Sequence, residues 1–372
     1  MRHASLAVLS LFVLSACGQE NDVSSASDAE AVAPIAVAAA DQLTDLNGPV
    51  TGIDFWTHPN VAFSSVMIIA GENGVASYNI EDGNEVSAIP GVSAQGAAVS
   101  YIGYGPRAKG LLAYFDRDAS AFSIFEIDNV TRNFKPVTGD IAIRGSVRGF
   151  CFGRGVDAEG PTLAVLQKGE LTQYSFSIEN ATLTASASAK ETAPDDVVSC
   201  AIDGVDGSIF VARENGTVHR LGTDGPGELF AKGDINAVGD IAVLSATNIA
   251  EDGVVSFSGQ VIVLDKTNAM IHAFDRADGS LIGKGTIGDA FEIDAVAASN
   301  VMGAVSANLG AIYRNGAIAL SLADEANVVR LIPANGLINA LNLPDGEALS
   351  PRGIIAEPED SDLLIRTTIQ PE

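Results

Sequence analysis

The chain has 372 residues, 47% of them hydrophobic and 18% charged, with 38 glycines and 14 prolines. This length excludes a small disulfide-stapled module, the apolar fraction excludes general disorder, and the abundance of turn formers points to many short strands. Acidic residues number 47 and basic ones 21, a formal charge of −26 that repels nucleic acid and anionic membrane surfaces and excludes a polyanion-binding role unless a bound cation or local basic pocket reverses the field.

The chain opens with a short basic start (Arg2, His3) and an apolar run from Ala4 to Leu14, followed by Leu14-Ser15-Ala16-Cys17. This reads as a bacterial lipoprotein signal over residues 1–16, with Cys17 supplying the thiol that receives the lipid; the run is too short for a membrane-spanning helix. The expected product is an exported lipoprotein, and Gly18 after the cysteine favours the outer membrane. Residues 17–48 are rich in Ala and Ser and acidic, with no Lys or Arg from Gly18 to Gly48, so they read as a flexible tether. Residues 49–372 form the folded part.

Within that part, short apolar segments recur: Val66–Ile69, Leu111–Tyr114, Thr162–Val165, Ile209–Ala212, Val261–Leu264 and Ala317–Leu320, spaced by 45 to 56 residues. Polar turns and alternating strands follow, as in Gly71-Glu72-Asn73-Gly74 before Val75–Tyr78, Arg213-Glu214-Asn215-Gly216 before Thr217–Arg220, and Asp265-Lys266-Thr267-Asn268 before Met270–Phe274. Asn-Gly between alternating strands is a hairpin signal. Six such units without a long amphipathic helix predict an all-β chain, a six-bladed β-propeller of four-stranded antiparallel blades. The C-terminal Pro351–Ile355 and Asp362–Arg366 are expected to close or flank the ring.

The order of these pieces resembles the β-propeller phytases from about Val50 to Pro333. The resemblance is carried by Trp56-Thr57-His58-Pro59, Gly74–Tyr78, Phe115-Asp116-Arg117, Val147–Phe150, Lys168–Tyr174, Gly207–Ala212, Gly239-Asp240-Ile241, Asp289–Asp294 and Asn327–Pro333. It implies calcium ions held by carboxylates at the channel mouth and hydrolysis of phytate, a phosphomonoester, by activated water. It also assigns Arg117 and Lys168 as phosphate contacts and Asp240, Asp289 and Asp294 as residual calcium ligands. At other charged positions the chain departs from the pattern: Thr51-Gly52-Ile53 replaces Asp-Asp-Pro, Gly71-Glu72 replaces paired lysines, and Val198-Ser199 and Ala242-Val243 replace Glu-Gly. Lost carboxylates and an acid facing phosphate imply weak or absent hydrolysis by a monomer acting on a small anionic phosphate ester. The alternative is a non-catalytic propeller of the cell envelope that binds a ligand or protein partner.

Asp203-Gly204-Val205-Asp206-Gly207 lacks the ligand spacing of a calcium loop and reads as a hairpin turn. His219 and His272 occupy comparable places in successive units, as a repeat requires. Cys151 and Cys200 fall on inner strands of adjacent blades; export favours a disulfide, while simple strand alternation aims them at opposite faces and leaves two buried thiols as the alternative.

Overall fold

A computed structural model describes residues 32–353 apart from 45, 138, 156–157, 159, 180–181, 223–224, 250–254, 291 and 344–345. The signal, Cys17 and the C-terminal strand expected at Asp362–Arg366 lie outside the described residues.

Six sheets of at least four strands form the blades; in blades 1 to 5 four antiparallel strands are laid from the channel outward in sequence order, and in blade 6 the first three are. The innermost strands are Val50–Trp56, Ala94–Ile102, Gly149–Gly153, Val197–Ile202, Val238–Ile249 and Ser299–Val305 of blades 1 to 6, and each touches the next around a closed ring. All six apolar segments singled out in the sequence are second strands, and Val66, Leu112, Leu163, Phe210, Ile262 and Ile318 in them are fully buried. A second strand flanked by paired neighbours has both faces covered by adjacent blades, which is why its sequence is apolar throughout instead of alternating. The core divides into six hydrophobic clusters, one at each interface between neighbouring blades.

The connectivity fixes two faces. Turns between second and third strands, and the links from one blade to the next, share an upper face; turns between first and second strands share the lower face with those between third and fourth. Arg213–Gly216 and Asp265–Ala269 are upper turns. Asp203–Ser208 is a lower hairpin turn, closed by the Asp203 and Gly207 backbone bonds, as the sequence reading expects.

The tether assigned to 17–48 requires correction from Ile35 onward, residues 17–31 lying outside the described residues. Ile35–Ala38 adds to the outer edge of blade 5 as a parallel strand, and Asp41–Leu43 supplies the fourth strand of blade 6, antiparallel to Val329–Pro333. Joining the start of the propeller to its last blade is what closes the ring. The apolar side chains of this stretch decide it: Val37, Ala39, Leu43 and Leu46 are buried, and the Tyr313 hydroxyl donates to Asp41 at 2.6 Å. Their burial offsets the ordering entropy that the acidic composition alone would not. An eight-residue helix, Ala334–Leu341, follows the last blade and packs Leu337 and Leu341 against blade 5. From there the chain crosses beneath the ring.

Candidate functional site: the central channel

The inner strands of all six blades surround a cavity of about 300 Å³, floored by Leu349, Ser350, Pro351 and Gly353. Its upper mouth is shaped by bulges. Pairing to the second strand slips near the start of the inner strand in blades 1, 2, 4, 5 and 6, at Val50/Gly52, Gln95/Ala97, Val197/Ser199, Val238/Ile241 and Ser299/Met302. A bulge bends and twists its strand, which here turns the top of these five inner strands. Gly96 has φ +75°, and a Cβ on Gly52 would lie 2.4 Å from the Gly96 Cα, so blades 1 and 2 meet at a place where only glycine fits.

Two carboxylates line the cavity. Asp54, flanked by Ile53 and Phe55 in blade 1, accepts the Phe55 N–H at 2.7 Å through Oδ1 and the Val99 N–H of blade 2 at 2.6 Å through Oδ2. Burial outweighs these bonds and raises its pKa to about 7. Asp240, near the start of the blade 5 strand, accepts the Met302 N–H of blade 6 at 2.9 Å and the Ser199 hydroxyl of blade 4 at 3.3 Å. Burial raises its pKa too. Neither carboxylate has an ion-pair partner among the described residues. At the rim Arg148 reaches Glu214 of blade 4 at 3.6 Å.

The lower end is closed by a strap. Glu347–Ala348 pairs with Thr247 and Ala246 of blade 5, and the Leu349 N–H donates to the Ser245 carbonyl at 2.9 Å. The strap then reaches blades 1 and 2, where Arg352 is buried. Its Nε donates to the Thr57 carbonyl at 2.8 Å and Nη1 to the Ala108 carbonyl at 2.7 Å, with the guanidinium over the rings of Tyr101 and Trp56. The Arg352 carbonyl accepts from Arg154 Nη2 of blade 3 at 2.5 Å and from the Gly105 N–H at 3.0 Å. One residue thus ties three blades to the strap. Burial pulls both guanidinium pKa values below the ordinary range, and carbonyl acceptors replace the lost hydration.

Of the residues assigned by resemblance, Asp240 alone lines the channel. Arg117 and Lys168 are exposed on the upper turns of blades 2 and 3, with the Arg117 N–H bonded to the Ser93 carbonyl at 2.9 Å. Asp289 and Asp294 are exposed on the link from blade 5 to blade 6, where Asp289 accepts the Ala295 N–H at 2.8 Å. Among the described residues no group of three or more His, Cys, Asp or Glu is placed to hold a metal ion. His219 Nε2 accepts from Arg213 Nη1 at 3.3 Å and its Nδ1–H donates to the Gly227 carbonyl at 3.1 Å, whereas His272 is fully buried and neither of its ring nitrogens has a hydrogen-bond partner among the described residues.

Cys151 and Cys200 form a disulfide beside the channel, with Cα atoms 5.5 Å apart. The expectation that they face opposite ways fails because of one bulge. Blade 3's inner strand runs in unbroken register, while the slip at Val197/Ser199 reverses the alternation in blade 4 and turns Cys200 toward Cys151.

Sequence reasoning missed Asp54, Ser245 and the Arg352 lock. Asp54 had a signal, a carboxylate inside the apolar run Ile53–Trp56, where an unpaired charge is costly. Arg352 had none, since its acceptors Thr57 and Ala108 are 295 and 244 residues away.

No known family and no curated protein matches the sequence. Solved structures similar to this chain include BBS1N in complex with ARL6DN, at 7% identity, covering 86% of this chain and all of that one with a TM-score of 0.46. Another is Kluyveromyces lactis Hsv2, at 15% identity, covering 74% and 72% with a TM-score of 0.38.

Proposed function

We propose that the protein is a binding propeller of the bacterial envelope, anchored through Cys17, that takes a ligand at its channel and does not hydrolyse phosphate esters. The carrying observation is where the charges fall: Arg117 and Lys168 stand on exposed turns, Asp54 and Asp240 line the cavity, and the two arginines that share its lining are engaged, Arg148 with Glu214 and Arg154 with the Gly103 and Arg352 carbonyls. Phosphoryl chemistry needs positive charge held where negative charge develops, and one well-placed donor is worth about 3 kcal/mol in such a site. Carboxylates at the same place act with the opposite sign. The lipobox Leu14-Ser15-Ala16-Cys17 supports export and anchoring.

The test is phosphate release from phytate by the mature chain, with and without millimolar calcium. Release at background is expected under both conditions. Sustained calcium-dependent turnover, lost in the Arg117→Ala/Lys168→Ala double variant, would overturn this reading in favour of a phytase.

A further inference from the structure

The exposed apolar side chains of the ring are gathered toward one face. From Ile35 onward seven large hydrophobic residues are exposed among the described ones, and five of them stand at the lower end. Phe63 and Ile312 are on the turns between first and second strands of blades 1 and 6, Val130 is on the turn between third and fourth strands of blade 2, and Ile178 and Val255 are at the lower ends of hairpins in blades 3 and 5. The other two, Ile35 and Leu229, lie on outer edge strands, and none is on an upper turn. Apolar residues scattered singly over a surface need no explanation, whereas a contiguous set on one face marks a docking surface.

Three of the five form one arc. The blade 6 turn meets the blade 1 turn so closely that a Cβ on Gly310 would lie 3.0 Å from the Phe63 nitrogen, and Arg132 of the Val130 turn donates to the Ser64 carbonyl at 3.5 Å. Ile312, Phe63 and Val130 thus follow one another across blades 6, 1 and 2, and they are 51%, 55% and 86% exposed. The charges around the arc balance. Arg107, Arg132 and Arg314 stand on the lower turns of blades 2 and 6, and Glu81, Asp82 and Glu85 at the lower corner of blade 1; none of the six is in an ion pair among the described residues. This balanced stretch contrasts with the −26 of the whole chain, which repels an anionic leaflet.

The direction of the chain points the same way. Ile35–Ala38 is parallel to the fourth strand of blade 5, which climbs from its lower turn, so the chain enters the ring running upward. From Cys17 to Ile35 there are 18 residue steps, a reach of at most about 60 Å. An anchor on so long a leash fixes neither face, and the apolar arc decides which one meets the bilayer.

We propose that the propeller rests with its lower face on the membrane that carries the Cys17 anchor, with Phe63, Ile312 and Val130 dipping into the headgroup region of zwitterionic phospholipid and the channel mouth turned to water. The inference rests on the anchoring half of the binding-propeller reading and adds the surface and its partner. Aromatic and aliphatic side chains gain by leaving water at the headgroup level, where arginines meet lipid phosphates and carboxylates meet the lipid ammonium groups. The strap beneath the cavity then lies on the lipid side, and a ligand reaches the channel from the aqueous side.

The mature lipidated chain in phosphatidylcholine vesicles tests this, with a fluorophore on one introduced thiol and a quencher on the lipid acyl chains. Labelling without reductant leaves the Cys151–Cys200 bridge closed. Quenching in Phe63→Cys and Ile312→Cys should exceed that in Arg117→Cys, on an upper turn, by about fivefold or more, as insertion of one face requires. Melting curves check each variant; should Phe63→Cys fail to fold, Ile312→Cys and Val130→Cys decide. Equal quenching on the two faces, or stronger quenching in Arg117→Cys, would overturn the proposal. So would a dimer of the Cys17→Ser chain that Phe63→Ser/Ile312→Ser dissolves, since the arc would then cover a second copy. A native chain that stays out of the detergent phase would remove the anchoring reading beneath, whereas a chain that enters it and shows no difference between the faces would remove the docking face alone.

Discussion

The two ends of the channel are built by different means. The upper mouth is shaped within each blade: a slip of pairing at the top of five inner strands, glycine where blades 1 and 2 meet, and a partly exposed rim at Thr51, Gln95 and Val198. The lower end is shaped between distant parts of the chain, by a strap whose Arg352 spends its donors on Thr57, Ala108 and Asn129. A local device opens one end and a long-range device shuts the other. Local geometry tolerates substitution of exposed groups around it, while a buried guanidinium surrounded by carbonyls leaves unpaired acceptors behind when it is removed.

The largest expected effect lies between the two ends. Cys151 and Cys200 close a loop of 49 residues across blades 3 and 4, for which loop-closure entropy gives about 4 kcal/mol. The Cys151→Ser/Cys200→Ser variant should lose about that much in chemical denaturation. A loss near zero would mean that the inner strands hold their places without the bridge.

Next comes the strap. Arg352→Ala should cost about 3 kcal/mol, because the Thr57 and Ala108 carbonyls lose charged donors and Trp56 loses its cover. Limited proteolysis should then cut the chain after Leu349 while the ring stays intact. Protection equal to that of the native chain would show that the strap is held by its pairing to blade 5 alone.

Two titrations of opposite sign bear on the walls between the two ends. Burial lowers the His272 pKa to about 4 from 6.5, so the unfolded chain takes up the proton first and stability is lost as pH falls from 6.5 to 4. Burial raises Asp54 from 3.8 to about 7, so the folded chain keeps its proton longer and stability is lost as pH rises from 4 to 7. Urea midpoints measured across pH should rise at acid pH in His272→Leu relative to native. The Asp54→Asn profile should lose the decline toward pH 7. Unchanged slopes in both would place the linked protons on other groups.

The smallest effect belongs to the exposed turns of the mouth. Arg117→Ala and Lys168→Ala should each alter the unfolding free energy by less than about 0.5 kcal/mol, as side chains exposed on turns do. A larger loss in denaturant melts would show that these turns brace the rim.

Much of the ring was legible because its signal is local. A second strand is covered on both faces wherever it stands in a blade, so Val66–Ile69 or Val261–Leu264 reads as apolar without knowledge of its neighbours, and Asn73-Gly74 marks its turn. The strand Asp41–Leu43 was hidden by composition, since acidic residues around it resemble a tether and its pairing partner lies almost 290 residues away at Val329–Leu331. Asp240 is legible through resemblance, whereas the role of Asp54 depends on its bond to the Val99 N–H of the next blade, 45 residues away.

By itself the sequence determined the number of blades, their second strands, the hairpin turns and the excess of negative charge, because alternation, turn chemistry and charge are properties of neighbours in the chain. Tertiary structure decided which carboxylates share the cavity, that one bulge turns Cys200 toward Cys151, and that the segment around Arg352 closes the lower end. Those outcomes depend on register and on contacts across the ring, and a single slipped residue reverses which face a side chain takes.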